Sequence, residues 1–200
     1  MKTIYLFRHA APQRLENVQQ EEWPLSIKGH EMSSAVLSRD VLRAAVRVYS
    51  SPLLRAVQTA QHAALPLTVD VRLEERRTGM EVAEAGDCWL RQYEDGAFKC
   101  PDGESFDEVG QRMQSCMDDI LAALASGEAA IVVSHAAAVC AYLMRFCDIR
   151  VTERATKTRK IAWQGETLYT GTVPPLTGLR LDFHQGALVN IEMLSYGRGS

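Results

Sequence analysis

Cysteine is scarce and unpatterned in this chain. The five residues (Cys88, Cys100, Cys116, Cys140, Cys147) are odd in number and contain no C-x-x-C pair. That spacing argues against a disulfide framework and against a zinc site. The expectation is a reducing cytosol, with most thiols buried as small apolar side chains. Basic excess is missing as well. Lys and Arg number 22 against 25 Asp and Glu, a net charge of −3, so no global field exists to hold nucleic acid or an anionic membrane. An anionic ligand would need positive charge placed locally. Long apolar runs are also absent. Thr3–Phe7 is too short for a secretory segment. Glu128–Cys147 is the one stretch to test as a membrane span, and Ser134, His135 and Arg145 within it argue against spanning. There is no internal repeat, no low-complexity tract, no G-x-x-x-x-G-K-[ST] loop and no clustered metal-ligand set.

What remains is an average globular composition, 46% hydrophobic and 24% charged over 200 residues. It excludes a disordered, collagenous or coiled-coil chain and fits a single domain, 1–200. Short β-rich runs alternate with helical ones. Thr3–Phe7, Arg47–Ser50 and Ala129–Ser134 read as buried strands. Helical stretches are expected from Ser26, from Ser51 as a cap with Pro52 at the first position, and over His135–Cys147. Ser105-Phe-Asp-Glu108 is a capping box. Behind it Phe106, Val109, Met113, Cys116, Ile120 and Leu124 form one apolar stripe. Leu179–Phe183 and Leu188–Leu194 flank His184-Gln-Gly186 and predict a hairpin. Gly79–Pro101 reads as irregular or as short helices over the site. The pattern predicts an α/β fold, a three-layer α/β/α sandwich on a mostly parallel central sheet with an antiparallel contribution at the end.

Ligands of open α/β sheets gather at the carboxyl ends of the strands. Here those ends carry Arg8-His9, then Ser50-Ser51-Pro52 leading to Arg55, then Ser134-His135. Two arginines, two histidines and the N–H groups of helix starts suit a phosphoryl group. Each residue alone has an ordinary explanation, a structural histidine or a solvated arginine. Spacing alone leaves both the anion site and the coincidence open.

The motifs add more. Residues 7–12 (FRHAAP) resemble the Arg-His-Gly signature of the histidine phosphatase superfamily, the phosphoglycerate-mutase-like proteins. The resemblance continues through Pro24-Leu25-Ser26-x-x-Gly29, Ser50-Ser51-Pro52-Leu53-x-Arg55-Ala56-x-x-Thr59-Ala60 and Leu73-x-Glu75-x-x-x-Gly79. It closes with Gly103-Glu104-Ser105 and Val133-Ser134-His135, in the family's order. It implies that His9 is the nucleophile forming a phosphohistidine, that Arg8, Arg55 and His135 hold the phosphoryl oxygens, and that Glu75 is the proton donor. No cofactor and no metal are implied. Fixed cations around the equatorial oxygens supply the stabilisation, and a dianionic phosphate beside Glu75 favours its protonated form.

Rival carboxylates are Glu74, which an extended segment would turn to the opposite face, Glu81 in the weakly patterned stretch, and Glu104, a polar support before the Ser105 helix. Ser105, Ser51 and Thr59 have capping and packing roles that suffice. His30, His62 and His184 lie far from the motifs and read as surface or structural. The chain departs from the family pattern at Ala10, Ala136 and Ala137, where glycines are usual, and it lacks the tryptophan-glutamate element after Gly79. The extra methyl groups are expected to narrow the phosphate pocket or shift its backbone.

The resembled mutases carry an asparagine where this chain has Leu15, and E-R-x-Y-G where it has Glu75-Arg76-Arg77-Thr78-Gly79. The 200-residue chain is also shorter than expected of them. A metal-independent phosphatase is therefore the first expectation, a phosphoglycerate-type mutase the second, and a non-catalytic phosphate- or phosphoprotein-binding module the third. Arg76 and Arg77 keep a carboxylated substrate open. The expected partner is a small-molecule phosphomonoester, with neither nucleic acid nor membrane, and a homodimer stays open. Residues 79–105 and 150–178 are expected over the site, with Trp89, Tyr93, Trp163 and Tyr169 as walls or as core.

Overall fold

The computed structural model describes residues 1–80 and 88–194. The described strands are β1 (Lys2–Arg8), β2 (Ala45–Ser50), β3 (Leu67–Val69), β4 (Ala129–Ser134), β5 (Asp148–Glu153), β6 (Thr158–Trp163), β7 (Glu166–Gly171), β8 (Gly178–His184) and β9 (Ala187–Met193). The described α-helices are α1 (Ile27–Leu37), α2 (Leu54–Gln61), α3 (Cys88–Glu94), α4 (Phe106–Ala123) and α5 (Ala136–Leu143). Six strands form the main sheet in the order β3-β2-β4-β1-β8-β9. The first four run parallel, and β8 and β9 join antiparallel. The predicted mixed sheet is present.

Alternation along the strands builds two cores. Ile4, Leu6, Ala130 and Val132 belong to one, with the α4 stripe and α5 packed over them. Tyr5, Phe7, Ile131 and Val133 belong to the other, under α1 and α2. Every predicted stripe position of α4 is buried, and each large apolar side chain there contributes about 1.5–3 kcal/mol. The capping box is formed in full, with Ser105 Oγ accepting from the Glu108 N–H and Glu108 accepting from the Ser105 N–H. The helices cover both faces, which makes the three layers. No helix among the described residues is long and apolar enough to cross a membrane.

Two expectations need correction. Cys88 and Cys100 are joined by a disulfide, while Cys116, Cys140 and Cys147 stay free and buried. Parity and short spacing carry no information about a single pair brought together by the fold. Ser51 does not cap α2. The helix starts at Leu54 behind Leu53, and Ser51 Oγ accepts from the Leu53 N–H. Residues 148–171 form a second, three-stranded antiparallel sheet, β5-β6-β7. Within Gly79–Pro101 the seven-residue α3 fits the expectation of short helices there, and Glu81 lies outside the described residues.

Candidate active site

Arg8, the last residue of β1, pairs in register with Ser134, the last of β4, and β2 ends alongside at Ser50. Parallel pairing thus aligns three carboxyl ends. Beyond them the chains stay bonded: the His9 N–H donates to the Ser134 carbonyl at 2.9 Å and the Ser51 N–H to the Val133 carbonyl at 3.1 Å. His9, Arg55 and His135 converge there, at 5%, 3% and 0% exposure.

Hydrogen bonds fix both tautomers. Arg55 Nε donates to His9 Nε2 at 3.2 Å, and His9 Nδ1 lies 2.6 Å from the Ala10 carbonyl. A guanidinium only donates. His9 therefore carries its proton on Nδ1 and a lone pair on Nε2. Arg55 Nη2 likewise faces His135 Nδ1 at 3.4 Å, which leaves the His135 proton on Nε2, 2.8 Å from Ser51 Oγ. The two rings stand 5.0 Å apart between centroids. Burial depresses the His9 pKa against the pull of the Ala10 carbonyl, with Arg8 and Arg55 adding, down to about 3. His135 is held well below its ordinary value by burial first and then by His9 and the arginines.

The cations are short of acceptors. Arg55 Nη1 donates to the Gln20 carbonyl at 2.7 Å, and Arg8 Nη1 to the Val173 carbonyl. Arg8 Nε is buried without a partner among the described residues. Neither guanidinium forms an ion pair among the described residues. Burial lowers both pKa values, partly offset by the charge of Glu75. Two buried cations without a paired carboxylate are costly in isolation. A dianion placed there would supply both the charge and the missing acceptors.

Glu75 sits at the start of α5. Its Oε1 accepts from the N–H groups of Ala138 and Arg76, both at 2.9 Å, and Oε2 from the Ala137 N–H at 3.3 Å. This corrects the expectation of free donors at that helix start, because the first turn of α5 holds the carboxylate instead. Ala10 is fully buried in the core, and its N–H donates to Thr59 Oγ1 at 3.0 Å. Its methyl group therefore belongs to the packing under the site. Arg55 and Glu75 line a cleft of about 390 Å³ with Leu53, Ala137, Trp89 and Gln92. Glu74 lines it too, since the segment leaves a 3-10 turn, Val71–Leu73, rather than a strand, and strict alternation does not apply. Of the four aromatics, only Trp89 lines the cleft. Tyr93 is core, with its hydroxyl accepting from Arg159 Nε at 2.7 Å. Trp163 and Tyr169 pack against the core from the second sheet.

Sequence reasoning missed Arg112. It pairs with Glu104 through Nε at 3.0 Å and Nη2 at 3.1 Å, and donates to the carbonyls of Arg72, Glu74 and Glu75 at 2.7, 2.9 and 3.3 Å. Glu104 also accepts from the Arg77 N–H at 3.0 Å. Glu104 is thus part of the clamp on the segment that carries Glu75. The one signal is its place on the helix capped by Ser105, just after the Gly103-Glu104-Ser105 element. Ser51, read as a cap, and Thr59, read as packing, also touch the site. His30 and His62 form an exposed pair at 3.1 Å, and His184 is exposed, all outside the site. Among the described residues, no group of three or more His, Cys, Asp or Glu is placed to hold a metal ion.

The family model for the histidine phosphatase superfamily (branch 1) matches residues 4–163. A probable phosphoglycerate mutase GpmB of Citrobacter koseri is 29% identical over 157 residues, 70% of this chain and 72% of that protein. A mycobacterial glucosyl-3-phosphoglycerate phosphatase solved with VO3 superposes with a TM-score of 0.67 at 20% identity, covering 100% of both chains. Bacillus stearothermophilus YhfR gives 0.64 at 20% identity, over 94% of this chain and 95% of its own. With that match spanning most of its length and the motifs gathered at one sheet edge, the chain belongs to the histidine phosphatase superfamily.

Proposed function

We propose that this protein is a metal-independent phosphomonoester hydrolase working through a phosphohistidine on His9. The observation that carries this reading is the His9 tautomer, with the Nε2 lone pair beside Arg55 and the proton committed to the Ala10 carbonyl. A neutral imidazole in this tautomer is a nucleophile once the phosphoryl group takes over the Arg55 hydrogen bond from Nε2. Arg8, Arg55 and His135 take the phosphoryl oxygens, and the unpartnered Arg8 Nε is one such donor. Nε2 attacks phosphorus, the bond from phosphorus to the leaving oxygen breaks, and that oxygen takes its proton from Glu75. Water then attacks the phosphohistidine and gives a proton to Glu75, and the phosphorus–nitrogen bond breaks to release phosphate. Charge on the equatorial oxygens meets fixed cations throughout.

A mutase reading has the naming of the Citrobacter koseri relative in its favour, and it uses the same first step. It differs in returning the phosphoryl group to the substrate, where Leu15 and Thr78 replace the residues that the mutases carry. The test is hydrolysis of 4-nitrophenyl phosphate with chelator present. Activity that persists and is lost in His9→Ala supports the proposal, and activity indifferent to that substitution defeats it. With phosphoglycerate, inorganic phosphate as product separates the phosphatase from the mutase, which yields the isomer.

A further inference from the structure

Beyond the phosphoryl-binding residues, the cleft has a second wall, built by α3. Trp89 and Gln92 are three residues apart, on one face of that helix, and both line the cleft together with Arg55 and Glu75. Gln92 is 1% exposed, yet neither its amide nitrogen nor its amide oxygen has a hydrogen-bond partner among the described residues. A buried amide left wholly unpaired is costly. The helix is fastened regardless. Cys88 is bridged to Cys100, and Arg159 binds the Tyr93 hydroxyl and lies 5.2 Å from the Trp89 ring centroid. A rigid wall that presents an unpaired amide beside an aromatic ring is a recognition surface awaiting its partner.

The chemistry of the amide narrows that partner. Nε2 only donates and Oε1 only accepts. A hydroxyl satisfies either atom, and two neighbouring hydroxyls satisfy both. A carboxylate accepts from Nε2 but leaves Oε1 without a donor, and an ammonium donates to Oε1 but leaves Nε2 unpaired. Trp89 offers a flat apolar face to the carbon skeleton that bears those hydroxyls. We propose that Gln92 and Trp89 form the leaving-group subsite and select phosphomonoesters of polyhydroxy compounds, polyols or sugars. This rests on the hydrolase reading above and adds the substrate class. Gln92 is then a specificity-determining residue, separate from the group that performs the transfer.

The experiment compares glycerol 3-phosphate with propyl phosphate, which has the same carbon skeleton without the hydroxyls. The wild-type protein is expected to favour the glycerol ester by at least ~100-fold in kcat/KM, because a site built to bond a hydroxyl rejects the analogue lacking it. In Gln92→Met that ratio collapses toward one. The same substitution raises the Tm of the free protein by about 2–4 °C, since it removes a buried unpaired amide without changing the side-chain shape much. A structural glutamine would do the opposite, so a fall in Tm overturns the proposal. A wild-type ratio near one, with 4-nitrophenyl phosphate still hydrolysed, overturns the subsite alone. A preference that survives in Gln92→Met does the same. Failure of the wild type to hydrolyse 4-nitrophenyl phosphate overturns the hydrolase reading and the subsite with it.

Discussion

Glu104 and Arg112 form a two-bond ion pair, at 3.0 and 3.1 Å, on the far side of the segment that carries Glu75. The pair is largely buried, at 12% and 19% side-chain exposure. Burial alone would push the Glu104 pKa up, and the bonds from Arg112 and Arg77 outweigh it, so the carboxyl is held below its ordinary value. From there Arg112 reaches the carbonyls of Arg72, Glu74 and Glu75. Arg112→Leu is expected to cost roughly 2–4 kcal/mol in urea unfolding, as it strands a buried carboxylate and several carbonyls. kcat falls while the affinity for inorganic phosphate stays, because Glu75 is displaced and the arginines are not. Arg112→Lys restores little, for want of the fork. A loss of phosphate affinity as large as the loss of kcat would show that Arg112 acts elsewhere.

If Glu75 gives the proton to the leaving oxygen, its importance scales with the need for that proton. Glu75→Gln is expected to slow an alkyl phosphate by ~10²–10⁴-fold. It should slow 4-nitrophenyl phosphate far less, since that leaving group departs as a stable anion. Equal losses on both substrates would remove Glu75 from the proton-transfer role.

The depressed His9 pKa has two consequences. The imidazole stays neutral well below pH 6.5, so its nitrogen resonances are expected to hold steady from pH 8 to pH 5. In the unfolded chain the same group binds a proton near pH 6.5. Between that value and about 3 the unfolded state holds more protons, so stability is full above pH 6.5 and is lost as pH falls toward the folded value. His135 adds in the same direction. Urea midpoints are expected to decline over that window, less steeply in His9→Phe. An imidazole that titrates near 6.5 in the folded protein would contradict the geometry.

Gly29 is where α1 closes on the loop after His9. An added Cβ would overlap the Ala11 carbonyl oxygen, which already accepts from the Ser26 N–H at 3.0 Å and from Ser26 Oγ at 2.9 Å. Gly29→Ala is expected to destabilise by roughly 1–3 kcal/mol and to reduce activity by moving residues 10–12. A variant of unchanged Tm would mean that this contact yields freely.

Legibility in the sequence followed the range of the forces involved. The Thr3–Phe7 strand, the Ser105 box and the α4 stripe are local patterns, and each forms as read. His9, Arg55 and His135 meet because they follow aligned strand ends, a consequence of parallel topology. The Gln185-Gly186 turn was read from its glycine, and both residues have positive φ, 50° and 81°. Gln164-Gly165 repeats that dipeptide with φ of 51° and 87°, and it turns β6 into β7. The second sheet therefore carries the same local turn signal as the first hairpin. Arg112 is hard to read because its carbonyl partners come from a distant segment, and neither the burial of Gln92 nor the Cys88–Cys100 pairing follows from a local pattern.

The central claim is covalent, and it is tested by acid-labile, base-stable phosphate on His9. Purified protein mixed with an excess of a rapidly cleaved phosphomonoester, quenched in alkali during turnover and digested, is predicted to carry phosphate on the peptide containing His9. The His9→Ala variant should carry none. Turnover with no phosphate on His9 at any quench time, or with phosphate on another residue, would contradict it.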